Sequence, residues 1–222
     1  MSRTYAELMS AATLNFPFYQ GVWQNQGTAA MTMVVGGTPY FAKEGKTVGL
    51  RQIGASGITS TGAVPDGVDV TASFTVEATV KFMRGMGQYV SYHVQGGGLG
   101  GGWSLYYNGA ATIILQTFTA AAGAARSMTA VLPLPIGTLN HIIGYLDCAG
   151  LAGQFWANNV ALTTVFTNTN PPVAGSSALY IGTAAASDEL TERFRAWNGS
   201  LDANERQTLY DAYNTLTVNA RV

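Results

Sequence analysis

Between residues 74 and 82 the chain alternates without interruption: Phe74, Val76, Ala78, Val80 and Phe82 take one set of positions and Thr75, Glu77, Thr79 and Lys81 the other. Successive strand side chains point to opposite faces, so this period of two predicts a β-strand with its apolar face in a core and with Glu77 and Lys81 outside it. Shorter apolar runs predict strands at 16–19, 31–35 and 47–53, set off by Gly36-Gly37, Gly54 and Pro65-Asp66-Gly67. Further on, the runs 88–95 and 103–108, 112–118 and 128–132, and 141–147 and 153–162 follow one another as candidate strands. The last of them turns at Asn158-Asn159, whose side chains tolerate a left-handed backbone. Residues 179–182 form a short strand before the polar loop 184–191, and Phe194 and Ala196 then alternate with Arg193, Arg195 and Trp197 as a closing strand would.

The pattern changes period at two places. After Asp202, Arg206, Leu209, Tyr210, Tyr213 and Leu216 recur at helical spacing, so a helix at about 203–216 can lay one stripe on the body. Asp202 and Glu205 form a capping box for it, each carboxylate serving an orphan amide and facing the positive end of the helix dipole. Trp197 is expected to wedge against this helix. At the other end Thr4 and Glu7 repeat the capping box, and Tyr5, Leu8, Met9 and Ala12 fall on one face of a short helix. We divide the chain into an arm, 1–13, and one body, 14–222. The arm is either a frayed terminus or an assembly element that buries Tyr5, Leu8 and Met9 against a neighbouring subunit instead of its own body, and we expect the second.

Composition narrows the partners. Only 10% of residues are charged, against about 25% in an ordinary soluble domain, so the surface is built from uncharged polar groups or is covered by partners. A net charge of −1 without a Lys/Arg cluster argues against a nucleic-acid groove and a polybasic membrane anchor. No apolar run approaches the roughly 20 residues of a membrane span, and the start lacks the basic-then-apolar layout of a secretory signal. Cys148 stands alone, which excludes an intrachain disulfide and a cysteine-rich zinc site and suggests a buried thiol. The glycine tract 96–102 lacks the Gly-Lys-Ser/Thr ending of a phosphate loop and is expected to be a flexible hairpin loop; the alanine-rich stretch 120–125 is a plain connection.

In order and spacing, Phe74-Thr-Val-Glu-Ala-Thr-Val-Lys, Gly102-Trp-Ser-Leu-Tyr-Tyr, Leu139-Asn-His-Ile-Ile-Gly-Tyr-Leu-Asp147, Gln154-Phe-Trp-Ala-Asn-Asn-Val, Leu179-Tyr-Ile-Gly and the strand-plus-helix ending resemble the laminin-G-like, concanavalin A-like jelly rolls. The resemblance covers roughly residues 14 to 213. It departs from the family at Thr79, where a Trp is frequent, at Leu139-Asn140-His141, where Trp-His-His is frequent, and at Asn158-Asn159 in place of Asn-Gly. It implies an all-β fold: a two-sheet antiparallel jelly-roll sandwich of about a dozen strands, with short N-terminal and C-terminal helices. It implies no single activity, since the fold serves lectins, adhesion modules, glycosidases and virion proteins.

Candidate chemistry is sparse. Glycosidases of this fold set carboxylates on alternate residues of one strand, and no Asp or Glu here has another two residues away; Asp66 with Asp69 and Glu189 with Glu192 are three apart. His93 and His141 lack a flanking nucleophile motif and read as strand residues. No catalytic residue and no metal ligand is expected. The resemblance brings up calcium at Asp147, but one carboxylate falls short of the six to eight oxygens calcium takes, so Asp147 is expected to stabilise a turn and no cofactor is expected. Phe155 and Ala157 match inward positions, leaving Trp156 on the opposite face beside Asn158 and Asn159. Tyr106 likewise lies opposite Trp103, Leu105 and Tyr107. Aromatic rings beside amides suit a sugar or a protein neighbour, so Trp156, Asn158, Asn159 and Tyr106 are the candidate ligand or interface residues.

These readings lead to a non-enzymatic structural or adhesion protein, a phage particle decoration or tail-associated protein, residing in the virion. Its partners would be copies of itself or capsid or tail proteins, with no nucleic acid and no membrane insertion. A stand-alone glycan-binding lectin, otherwise extracellular, is the alternative, and a divergent glycoside hydrolase ranks third.

Overall fold

A computed structural model describes residues 2–44, 47–54, 56–61, 67–83, 88–94, 101–108, 112–119, 124–132, 137–168, 170–175, 178–182 and 188–219, and for 88–94, 108, 124–125 and 216–219 it describes the backbone alone. Residues 96–100 of the glycine tract, 120–123 of the alanine-rich stretch, Asp66 and the side chains of His93 and Leu216 therefore lie outside the described residues.

Helix α1 (Tyr5–Ala11) precedes β1 (Leu14–Phe16) and a 3-10 turn (Phe18–Gln20). Then come β2 (Met33–Gly36), β3 (Tyr40–Glu44), β4 (Thr47–Ile53), β5 (Gly57–Ser60), β6 (Ser73–Phe82), β7 (Gln88–Val94) and β8 (Gly102–Asn108). The second half holds β9 (Thr112–Phe118), β10 (Ala124–Val131), β11 (Leu139–Asp147), β12 (Ala152–Ala157), β13 (Val160–Ala161) and β14 (Thr164–Asn168). Last come β15 (Tyr180–Gly182), β16 (Asp188–Asn198) and α2 (Ala203–Asn219). One sheet runs β13-β12-β11-β6-β16-β4-β3 with β1 added on β16; the other runs β14-β10-β9-β8-β7-β15-β5-β2, and the described pairings are antiparallel.

The core between the sheets is the one the alternation predicts. Phe74, Val76, Ala78, Val80 and Phe82 are buried in it with Trp103, Leu105, Tyr107, Phe155, Ala157, Phe194 and Ala196. Trp103 stacks on Phe194 with centroids 6.1 Å apart, and Phe82 on Tyr107 at 4.6 Å. Gly144 is required by this packing, because a Cβ there would come 2.7 Å from the Phe155 ring.

The other face of β6 differs from the expectation. Thr75, Glu77 and Thr79 are buried, and Lys81 keeps partial exposure, its ammonium 3.5 Å from Glu44. The reason is that α1, α2 and the 3-10 turn lie across the outer face of β6, β11 and β16 and make a second interior there. Both helices carry their capping boxes: Glu7 N donates to Thr4 Oγ1 and Thr4 N to Glu7 Oε2, and Asp202 and Glu205 exchange the same pair at 2.9 Å. Leu8, Ala12, Ile143, Trp197, Leu201 and Leu209 form the apolar part of this layer, with Tyr5, Met9 and Trp156 packed against it. Trp197 wedges in as expected, its Nε1 donating to Leu8 O at 2.9 Å.

The arm is thus seated on its own chain. Leu8 is fully buried, Arg3 bonds Glu205 at 2.6 Å and Ser2 bonds Asp202 at 2.9 Å. This corrects the expectation that Tyr5, Leu8 and Met9 bury against a neighbour instead of the sandwich: the apolar stripe of a capped helix needs a complementary surface, and Trp197 and Leu209 supply it within the chain.

Candidate functional site

The residues singled out from the sequence are largely occupied in holding α2. Trp156 does face away from Phe155 and Ala157, but the Arg206 guanidinium lies over its ring, 4.0 Å from the centroid. Asn158 and Asn159 take left-handed conformations, φ 49° and 62°, and close the β12–β13 turn. Asn158 Oδ1 accepts from His141 N at 3.1 Å and Asn159 Nδ2 donates to Gln207 at 2.5 Å. The ring expected to meet a ligand or a protein neighbour thus carries the Arg206 guanidinium and stays half-buried. Tyr106 is half-buried on the outer side of the other sheet, opposite the buried Leu105 and Tyr107, so the fold does not bring it together with Trp156.

Asp147 holds a turn, its Oδ1 accepting from Ala149 N at 3.1 Å and Gly150 N at 2.7 Å. Among the described residues no group of three or more His, Cys, Asp or Glu side chains gathers around a common point, and one carboxylate committed to two amides does not fit the oxygen cage of calcium. Cys148 is buried, and burial pushes its thiol up to about 11.

The structure assembles a polar cluster that the sequence alone did not single out. On the sealed face, Glu77 Oε2 accepts from Arg195 Nη1 at 3.0 Å and its Oε1 lies 2.9 Å from His141 Nε2. Burial alone would push Glu77 up, but Arg195 first and then His141 outweigh it and hold the carboxyl at about 2. His141 in turn stacks on Tyr213 at 5.3 Å. Arg195 also donates from Nε to Asn15 Oδ1 at 3.1 Å and from Nη2 to the Tyr5 hydroxyl at 2.9 Å. Two positions away, Arg193 is fully buried, bonds Glu192 at 3.2 Å and sets its guanidinium 5.1 Å from the centre of the Tyr19 ring. Its Nε and Nη1 have no hydrogen-bond partner among the described residues. The available signal was the alternation of Arg193 and Arg195 with Phe194 and Ala196, which puts both cations on the face that Glu77 also occupies.

Beside this cluster opens a cleft of about 240 Å³, lined by Tyr5, Met9, Asn15, Pro17, Tyr19, Gln20, Gln26 and Arg195. The arm, the 3-10 turn and β16 build it together. Gln20 and Gln26 stand at the exposed rim, Tyr5, Met9, Asn15 and Tyr19 are half-buried, and Arg195 forms the floor.

The acids are accounted for elsewhere. Arg51 pairs with Glu44 and Asp188, Asp69 accepts from Thr71, Gln207 donates to Asp211, and Glu7, Asp202 and Glu205 serve as caps. Glu189 is the exception among the described carboxylates. It is fully buried, neither oxygen has a hydrogen-bond partner among the described residues, and burial, with Asp188 beside it, pushes its pKa well above the usual range. At the β13 and β14 edges Val131, Val160 and Val165 are 65%, 65% and 62% exposed, and Val131 and Val165 line an uncharged depression of about 470 Å³.

No curated protein matches this chain. Among solved structures it is similar to the receptor-binding domain of botulinum neurotoxin C/D mosaic serotype, with a TM-score of 0.72 and 7% identity over 91% of this chain and 51% of that one. It is also similar to the binding domain of serotype G (TM-score 0.66, 14% identity, 91% and 51%). A third is the ligand-binding domain of serotype D in complex with N-acetylneuraminic acid (0.68, 8%, 91% and 51%). The chain spans about half the length of these proteins, and at such identities the likeness is one of fold. The family model described as the concanavalin A-like lectin/glucanases superfamily, of laminin G type, matches residues 55–205, more than half of the chain, and the protein belongs to that family.

Proposed function

We propose that this protein is a non-enzymatic binding and adhesion module, carried on a viral particle as a decoration or tail-associated protein. The observation that carries the non-enzymatic part is the fate of its acids. Each described carboxylate except Glu189 is tied to a structural partner, and Glu189 is sealed in the interior, so among the described residues no acid and base face a common open site as glycoside hydrolysis requires. Binding by such a surface needs no metal. The similar solved structures are described as receptor-binding or ligand-binding domains, which supports recognition as the role. The charge-poor composition and the exposed Val131, Val160 and Val165 support a setting among other copies or other particle proteins.

The test is incubation with β-glucans and other polysaccharides. No release of reducing ends is expected; release abolished by changing one acidic residue would overturn the reading. For the particle setting, genes for capsid or tail proteins are expected beside its own, and a neighbourhood of metabolic genes would contradict it. The second reading, a stand-alone glycan-binding lectin, is favoured by one feature, the Tyr5–Tyr19–Arg195 cleft.

A further inference from the structure

We infer that β14 is the edge by which two copies of this chain pair, antiparallel about a two-fold axis, joining an eight-stranded sheet of each into one continuous sheet. This pairing rests on the reading of the protein as one set among copies of itself, and gives that setting its contact. A terminal strand presents a row of main-chain N–H and C=O groups to any other extended chain, and folds block such rows by shortening the strand, charging it or covering it. The two sheet paths end in β13, β3, β2 and β14. Three of these carry a block. β13 has only two residues, and β3 carries Lys43 and Glu44. At the start of β2 the Gln24 amide takes up both main-chain groups of Met33, accepting from its N at 3.0 Å and donating to its O at 2.8 Å.

β14, Thr-Val-Phe-Thr-Asn, has none of these devices. It is five residues long, without charge or proline, and among the described residues no further strand or loop backbone bonds its outer edge. The occupant follows from that composition. In full antiparallel overlap with its own copy, Phe166 meets Phe166 of the second copy, Val165 meets Thr167 and Thr164 meets Asn168. Self-pairing brings like side chains together, which penalises a charged strand; here no charge is brought together. The one charged residue of the neighbouring β10, Arg126, is buried and donates to Cys148 O and Asn170 O. A charged partner would find no counter-ion on this edge, whereas a second copy, with a net charge of −1, is hardly repelled.

The side chains favour the same contact. Val131 and Val165 stand exposed and, with Leu162 and Thr163, line the uncharged depression beside the strand, apolar surface that a second copy takes out of water. Phe166, half-buried against the core, gains an aromatic neighbour across the axis. A two-fold contact uses one patch twice and closes, so the assembly stops at the dimer.

Sedimentation velocity and light scattering of the full chain between about 1 and 100 µM test this. A monomer–dimer equilibrium is expected, with a dissociation constant on the order of 10 µM for so small a contact. Val165→Lys should weaken it at least about tenfold, because like charges then flank the axis, while the circular dichroism spectrum stays that of the folded chain. Val165→Lys combined with Thr167→Glu sets opposite charges face to face in this register and should restore the dimer. Val34→Lys, on β2, should leave association unchanged. A monomer at every concentration, a dimer indifferent to Val165→Lys, a double variant that stays monomeric, or a dimer lost on Val34→Lys would each overturn the inference. The gene neighbourhood decides the particle setting and the polysaccharide assay the non-enzymatic reading, each independently of these results.

Discussion

The two outer faces of this sandwich differ in a way that their sequences conceal. On the β6–β11–β16 side, Thr75, Glu77, Thr79, His141, Arg193 and Arg195 are polar and yet buried, roofed by two helices, with Glu77 hydrogen-bonded to both Arg195 and His141. On the β10–β14 side, Val131 and Val165 are apolar and yet open. Polarity along a strand reports which residues can be satisfied away from the main core. Whether water or a second layer satisfies them is settled by elements distant in the chain, here residues 2–20 and 201–213. The sealed face consumes its charged residues in structure, and the other face keeps apolar side chains open.

This contrast can be broken in several ways. Val80→Asp, in the main core and outside the comparison, sets the scale: an unpaired charge between the sheets should cost more than about 4 kcal/mol and leave little folded protein, read by circular dichroism. Leu8→Ala tests the roof. If the arm belongs to its own chain, the cavity beside Trp197 should cost about 2–5 kcal/mol and lower the melting temperature by roughly 5–15 °C; an arm docked only on a neighbour would leave the isolated chain unaffected.

Glu189→Gln should act in the opposite direction and depend on pH. Its folded pKa is raised by burial and by Asp188, so the wild-type acid is harmless below about 4.5 and increasingly costly as pH rises above that value. The variant should match the wild type in acid and become the more stable of the two toward neutral pH, as followed by thermal melts across that range. Val165→Lys, on the open face, should be the mildest change, within about 0.5 kcal/mol, and would sharpen the comparison by showing that this surface does not contribute to folding.

Much of the fold was legible because its signals are local. The register of residues 74–82, both capping boxes and the position of Trp197 follow from spacings of two, three and four residues, which backbone geometry converts directly into faces. Asp147 as a turn residue was equally legible. The site was not. Glu77 looked exposed because the alternation is identical whether its face meets solvent or a helix. Trp156 looked available because Arg206, the cation over its ring, comes from an element beyond four further strands. Tyr5, Asn15, Tyr19 and Arg195 meet only because β1 pairs with β16, and no spacing within one segment encodes such a meeting.

The most direct test of the sealed face is the melting temperature of Glu77→Gln beside the wild type as a function of pH. The carboxyl is held at about 2, below its ordinary 4.5, so its contribution should be complete above about pH 4.5 and vanish as pH falls toward 2. Removing one partner of a buried pair costs about 3–5 kcal/mol, so a gap of roughly 10 °C is expected at pH 7, closing in acid. A variant that melts with the wild type at neutral pH, or a gap that persists unchanged at pH 2, would contradict a second interior built on Glu77, His141 and Arg195.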